Sequence, residues 1–289
     1  MNILITGKNS YIGESFKNYL SRFEHTIDEV DTISDEWKNI DYSKYDSVIH
    51  VAAIVHNDAK TASEELFSKV NTQLPFEIAK LAKNNGVKQF VFISTMAVYG
   101  IDKSLNKDKC CVDNNTELKP ISLYGKSKLE AENLLKTLTD QNFKISIVRP
   151  PNVYGSGCKG NYIYLFKKLA NLMSICPYAY TDIRQSMIYI DNLSELIRLI
   201  LEKNCDGIYT PQDKHIPNTI DIITGIRKTY NKKTRYSKLL GTLIKLFSKI
   251  SIVNKIYGGV YYDSHISNHF NNKYQIDSFE EGLELTYKD

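Results

Sequence analysis

The opening stretch NILITGKNSYIG, residues 2–13, constrains this chain more than any other. The apolar run Ile3-Leu4-Ile5 stops at Thr6-Gly7, and helical spacing begins at once with Ile12, Phe16, Leu20 and Phe23. A buried strand that turns at a glycine directly into a helix is the start of a parallel sheet, since parallel strands need crossovers. Gly7 permits the tight turn, Gly13 lets the helix pack close, and the free N–H groups of the helix start attract an anion. That anion is expected to be a dinucleotide pyrophosphate. A second strand over Thr26–Val30 leads to Asp31, placed to accept hydrogen bonds from the adenosine ribose. An acid there disfavours a 2′-phosphate, so NAD(H) is the preferred cofactor; Lys8 keeps NADP(H) open.

Strands and helices continue to alternate. Apolar runs predict strands over 47–51, 89–94 and 143–148, and helical spacing predicts helices over 66–84 and 124–138. Near-continuous apolar strands are those covered on both faces. The fold class is α/β, a doubly wound parallel sheet. The expected division is a dinucleotide-binding unit over 1–153, with 185–207 returning to it, and a smaller, mainly helical substrate lobe over 154–184 and 208–289. A chain with 42% apolar and 24% charged residues is neither disordered nor fibrous. No run approaches the roughly 18 apolar residues of a membrane span, and no leader precedes Ile3, so a cytoplasmic protein is expected. Five cysteines lack any ligand spacing, and no metal is expected.

Tyr-x-x-x-Lys aligns a phenol and an ammonium on one helical face, a pair suited to exchanging a proton with an alcohol or ketone. The spacing occurs at Tyr99/Lys103, Tyr124/Lys128 and Tyr164/Lys168. Gly100 follows Tyr99 at a strand exit, so no helix aligns the first pair. No hydroxyl-bearing strand end precedes the third. Tyr124 alone opens a helix about 30 residues after a strand ending in Ser94-Thr95, so Thr95, Tyr124 and Lys128 are the catalytic candidates.

With these residues in place the chain resembles the extended short-chain dehydrogenase/reductase family of nucleotide-sugar epimerases, dehydratases and reductases. The matching pieces are the glycine turn, Val48-Ile49-His50-Val51-Ala52-Ala53, Asn71, 94–100, Tyr124-Gly125-Lys126-Ser127-Lys128, 149–155 and 184–191. The resemblance implies a Rossmann-type fold in which Gly7, Ser10, Tyr11, Ile12 and Gly13 hold the pyrophosphate and Asp31 the ribose. It places Asp41 and Tyr42 by the adenine, in a segment that lacks the usual helix, and Ala52, Ala53 and Asn71 along the cofactor. Tyr124 and Lys128 would also touch the cofactor, and Thr95 and Tyr124 the substrate. Asn152 and Arg184 would bind the diphosphate of a UDP-sugar, and Asn161 its nucleotide. Family dehydratases carry an acid pair after the catalytic hydroxyl; Met96-Ala97 stand there instead, which argues against a dehydratase.

The resemblance is strongest to reductases of bacterial capsule and O-antigen pathways, which reduce the C4 ketone of a UDP-2-acetamido-2,6-dideoxy-4-hexulose to a UDP-N-acetyl-fucosamine or quinovosamine type sugar. The alternatives are a UDP-hexose 4-epimerase, acting on UDP-glucose or UDP-GlcNAc with retained NAD, and a catalytically dead dinucleotide sensor. Family members often pair through a four-helix contact, for which the helices at Leu66 and Tyr124 are available, so a homodimer is expected. The net charge of +4 gives no reason to expect nucleic acid. Its distribution is uneven: 222–262 holds nine basic residues and no acid, leaving 28 basic against 33 acidic side chains elsewhere. This basic, amphipathic stretch reads as a solvated helix face, a field drawing in a nucleotide diphosphate, or a weak contact with an anionic membrane.

Overall fold

The computed structural model describes residues 1–55, 63–158 and 160–288. Six parallel strands form its central sheet: β1 (Asn2–Thr6), β2 (Thr26–Val30), β3 (Ser47–His50), β4 (Gln89–Ile93), β5 (Lys144–Val148) and β6 (Gly207–Tyr209). Their order across the sheet is β6-β5-β4-β3-β1-β2. Side chains alternate through the sheet, so each strand feeds two cores. On one face Ile3, Ile5, Ile49, Val91 and Ile93 pack with Phe16 and Leu20 of helix α1 (Tyr11–Leu20). On the other, Leu4, Val48, Phe90 and Phe92 pack with Ile78, Ala82, Ala131 and Leu135. Every residue of β3 and β4 is buried, which is why these segments read as near-continuous apolar runs.

The β2–β3 connection contains two 3₁₀ turns, Asp35–Asn39 and Tyr42–Lys44, in place of a crossover helix. Trp37 and Tyr42 fill the space beneath the sheet that such a helix would cover. The helix expected over 66–84 is interrupted. Glu64–Phe67 and Leu74–Asn84 flank a π-helical turn, Ser68–Gln73. The wider turn points Asn71 and Thr72 inward, where both are buried and bonded to the next helix, α2 (Leu123–Lys136).

After β5 the strand Asn152–Tyr154 pairs with Met187–Tyr189, and helix Ile190–Glu202 then packs beside α1 on the sheet. The return to the sheet extends through β6, which ends at Tyr209. Phe166, Ile223 and Leu283 of the lobe join the same core as Ile3 and Ile49, so lobe and sheet share one interior. Buried Asp213 ties them further, accepting from Tyr154 Oη at 2.7 Å, Asn192 Nδ2 at 2.8 Å and the Tyr189 N–H at 3.0 Å. Among the described residues no helix is long and apolar enough to cross a membrane.

Candidate active site

Sheet topology places the carboxyl ends of β1, β3 and β4 side by side, with the glycine turn above them. Gly7 has φ +113°, and a Cβ there would lie 2.8 Å from the Ala52 nitrogen. A Cβ on Gly13 would lie 3.2 Å from the Gly7 oxygen. Ser10 caps α1, its Oγ accepting from the Gly13 N–H at 3.1 Å. Buried Tyr11 Oη has no hydrogen-bond partner among the described residues and lies over Gly155. A backbone cradle without side chains, a helix N-terminus and an unsatisfied hydroxyl fit a dinucleotide pyrophosphate. Ile12 is half-buried against the core, and Ala52 and Ala53 follow β3 directly beside the turn.

Gly7→Ala is expected to destabilise the fold by more than about 1 kcal/mol and to weaken NADH binding about tenfold or more. Gly86→Ala provides the control, since φ there is also positive (+84°) but a Cβ meets nothing within 4 Å. It should lose stability and keep affinity. Melting curves and NADH fluorescence titration separate the two effects; unchanged affinity in Gly7→Ala would detach this loop from the cofactor.

Asp31 ends β2 half-exposed, one carboxylate oxygen accepting from the Ile33 N–H at 2.9 Å. Asp41 is exposed and caps its own turn, accepting from Ser43 Oγ at 2.6 Å. Tyr42 departs from the expectation of an adenine neighbour: its ring lies in the core and its hydroxyl donates to the Trp37 carbonyl at 2.9 Å. The missing crossover helix left that space to be filled.

Thr95, Tyr124 and Lys128 converge at the end of β4. The Thr95 hydroxyl caps a 3₁₀ turn, Met96–Tyr99, accepting from the Ala97 N–H at 3.2 Å, and is hydrogen-bonded to the Tyr124 hydroxyl. Gly125 makes this approach feasible: a Cβ on it would lie 2.7 Å from the Ala97 oxygen. Lys128 is buried, its Nζ donating to the Ile93 carbonyl at 2.8 Å and lying 4.5 Å from the centre of the Phe92 ring. Desolvation pushes its pKa down to about 7, opposed by Glu132. Burial pushes the Tyr124 phenol up to about 12, opposed by the Thr95 hydrogen bond. The ammonium is held on a backbone carbonyl, and burial dominates the pKa of the phenol. The decoys separate cleanly. Tyr164 is 70% exposed, and the Tyr99 hydroxyl serves Arg149.

Two supporting groups surround this trio. Asn71 Oδ1 accepts from the Ile54 N–H at 3.0 Å, while its Nδ2 donates to the Ile54 carbonyl and to Ser127 Oγ, each at 3.1 Å. It fixes the chain after β3 to the helix that carries Tyr124 and Lys128. Glu132, one turn beyond Lys128, was not anticipated. It pairs with Arg149 at 2.5 Å and accepts from Ser94 Oγ at 2.5 Å, all buried. The sequence signal was present: a glutamate on the face shared by Tyr124 and Lys128, and an arginine closing an apolar strand.

On the substrate side, exposed Asn152 lies in register with Met187, three residues beyond Arg184. The Met96 N–H donates to the Pro150 carbonyl at 2.9 Å, tying this strand's approach to the Thr95 turn. Arg184 spends one donor on the Ile216 carbonyl at 2.9 Å, with Asp221 3.9 Å away, and is half-exposed. The side chain of Asn161, at the start of a lobe helix, lies outside the described residues. Lys103 donates to Oε1 of Gln185, the residue after Arg184, at 3.0 Å and lies 4.4 Å from the centre of the Tyr162 ring. Burial pushes this second, unanticipated cation down to about 8.

A doubly wound sheet, a glycine turn at its carboxyl edge and a Tyr–Lys pair beside it define a dinucleotide-dependent oxidoreductase scaffold. The chain belongs to the NAD dependent epimerase/dehydratase family, whose model matches residues 3–210, and it is an NAD-dependent enzyme of the extended short-chain dehydrogenase/reductase type. A UDP-glucose 4-epimerase of Vibrio cholerae is 28% identical, covering 91% of this chain and 87% of its own. An N-acetyl-α-D-glucosaminyl-diphospho-ditrans,octacis-undecaprenol 4-epimerase of Escherichia coli O157:H7 is also 28% identical, covering 80% and 73%. A dTDP-4-dehydrorhamnose reductase structure from Clostridium acetobutylicum superimposes with TM-score 0.66 at 23% identity, covering 82% and 83%; that likeness concerns the fold.

Proposed function

We propose that the enzyme reduces the C4 ketone of a nucleotide-linked 4-keto-6-deoxy sugar, a UDP-2-acetamido-2,6-dideoxy-4-hexulose, with NADH preferred over NADPH. The observation that carries this reading is the Tyr124–Thr95 hydroxyl pair, with Met96-Ala97 rather than acids following Thr95. A bound nicotinamide supplies the hydride that C4 receives. Tyr124 gives its proton to the C4 oxygen, Thr95 steadies that oxygen by a hydrogen bond, and protonated Lys128 favours the negative charge that develops on the phenol oxygen. Asn152 and Arg184, aided by Lys103, hold the diphosphate, where the forked guanidinium suits phosphate oxygens.

A second reading, 4-epimerisation with retained NAD, draws support from the names of the two relatives above. Those names share a sugar on a diphosphate, carried by uridine in one and by a polyprenol in the other. Epimerisation would use the same trio, with Tyr124 acting first as a base and then as an acid. Stoichiometry distinguishes the two. One NADH is expected to be consumed per molecule of UDP-4-keto-6-deoxy-N-acetylhexosamine, with no interconversion of UDP-glucose or UDP-GlcNAc. Interconversion of either without net loss of cofactor would reverse the assignment.

A further inference from the structure

Beyond residue 222 the lobe turns an apolar stripe toward solvent. In the helix Lys238–Leu246 the residues Leu239, Leu243 and Leu246 recur at the spacing that normally faces a core. Here they are 74%, 43% and 73% exposed. The helix instead rests on the lobe through Gly241, set so close to the Tyr178 backbone that a Cβ would collide with it. Phe247, Ile250 and Ile252 extend the exposed apolar surface past the helix end. A chain stable in water gains nothing by displaying such a patch, so it calls for an occupant.

Charge selects which one. Lys238, Lys245 and Lys249 are exposed along the same stretch, within a segment of nine basic residues and no acid. Two copies meeting face to face would press these cations together, which opposes self-association. A bilayer with anionic headgroups suits both parts: leucines and phenylalanine enter the acyl boundary, and lysine stems reach back to the phosphates. We propose that the helix Lys238–Leu246 and residues 247–252 form a membrane-docking surface that recognises an anionic phospholipid bilayer. The surface lies outside the catalytic site, so the proposal holds for reductase and epimerase alike.

Co-sedimentation of the full chain with vesicles tests it. Binding is expected to phosphatidylcholine vesicles containing about a quarter phosphatidylglycerol at about 0.05 M salt, weakening at about 0.5 M. Neutral phosphatidylcholine vesicles should bind about tenfold less or weaker still. The triple variants Leu239→Ser/Leu246→Ser/Phe247→Ser and Lys238→Gln/Lys245→Gln/Lys249→Gln should each lose about tenfold or more in vesicle affinity, with melting temperature and NADH affinity kept. No binding to the anionic vesicles at low salt overturns the proposal, as does wild-type binding by both variants. A dimer that the Leu/Phe variant dissolves, without vesicle binding by the wild type, assigns the face to a second copy and overturns it too.

Discussion

Tyr124→Phe is expected to lower turnover by about 10²–10⁴-fold while leaving NADH affinity and melting temperature close to wild type. The substitution removes one oxygen from a ring whose packing is retained, so the loss reports proton transfer rather than folding. Thr95→Val should fall between the two, since it deletes the hydrogen bond to the same oxygen but leaves the proton donor. The pH profile supplies a second signature. Lys128 titrates near pH 7 in the free enzyme, because desolvation outweighs the nearby Glu132 carboxylate. Below that pH it is an ammonium and favours the charge that forms on the phenol oxygen; above it this help is lost. In the reductive direction kcat/KM should therefore decline as pH rises through about 7, and the residual rate of Tyr124→Phe should lack that limb. Full activity in Tyr124→Phe would remove this trio from the chemistry, whichever reaction the enzyme runs.

How much of this was readable beforehand depended on the range of the forces involved. The glycine turn, β1 and α1 are announced by residue patterns within a dozen positions, and β3 and β4 are mostly apolar because both of their faces are covered. Local pattern suffices for such elements. Asn71 is different. Its π-helical turn exists because its amide satisfies the backbone of Ile54 and the hydroxyl of Ser127, 17 and 56 residues away. No periodicity announces that. Tyr42 follows the same logic in reverse: its ring went to the core because a helix absent from the β2–β3 connection left space there. Lys103 shares no helix with Tyr99, and a fold-level contact across 82 residues brings it to Gln185, the residue that follows Arg184. The helical spacing of Leu239, Leu243 and Leu246 was legible, but the outward orientation of these residues became visible only with Gly241 seated on Tyr178.

Glu132→Ala is expected to destabilise the protein by about 3–5 kcal/mol, because it leaves Arg149 charged and buried without its partner. Against a total stability of about 5–15 kcal/mol, such a loss shifts denaturant midpoints substantially. The Glu132 and Arg149 side chains are 0% and 4% exposed, and their contacts reach far: Ser94 beside Thr95, Tyr99, and the lobe, where Tyr262 Oη donates to the Arg149 carbonyl at 2.8 Å. The pair therefore clamps the catalytic helix to the ends of β4 and β5. Breaking one side of it is costly, whereas replacing both sides with apolar residues of similar volume removes the stranded charge. Glu132→Leu with Arg149→Met should accordingly recover most of the stability lost by Glu132→Ala. The carboxylate also raises the pKa of Lys128, so its removal should move the limb near pH 7 toward lower pH in any variant that stays folded. Denaturant titration and the pH profile read these two consequences independently. A Glu132→Ala protein within about 1 kcal/mol of wild type would mean that water or a rearranged partner satisfies Arg149, and the clamp would not exist.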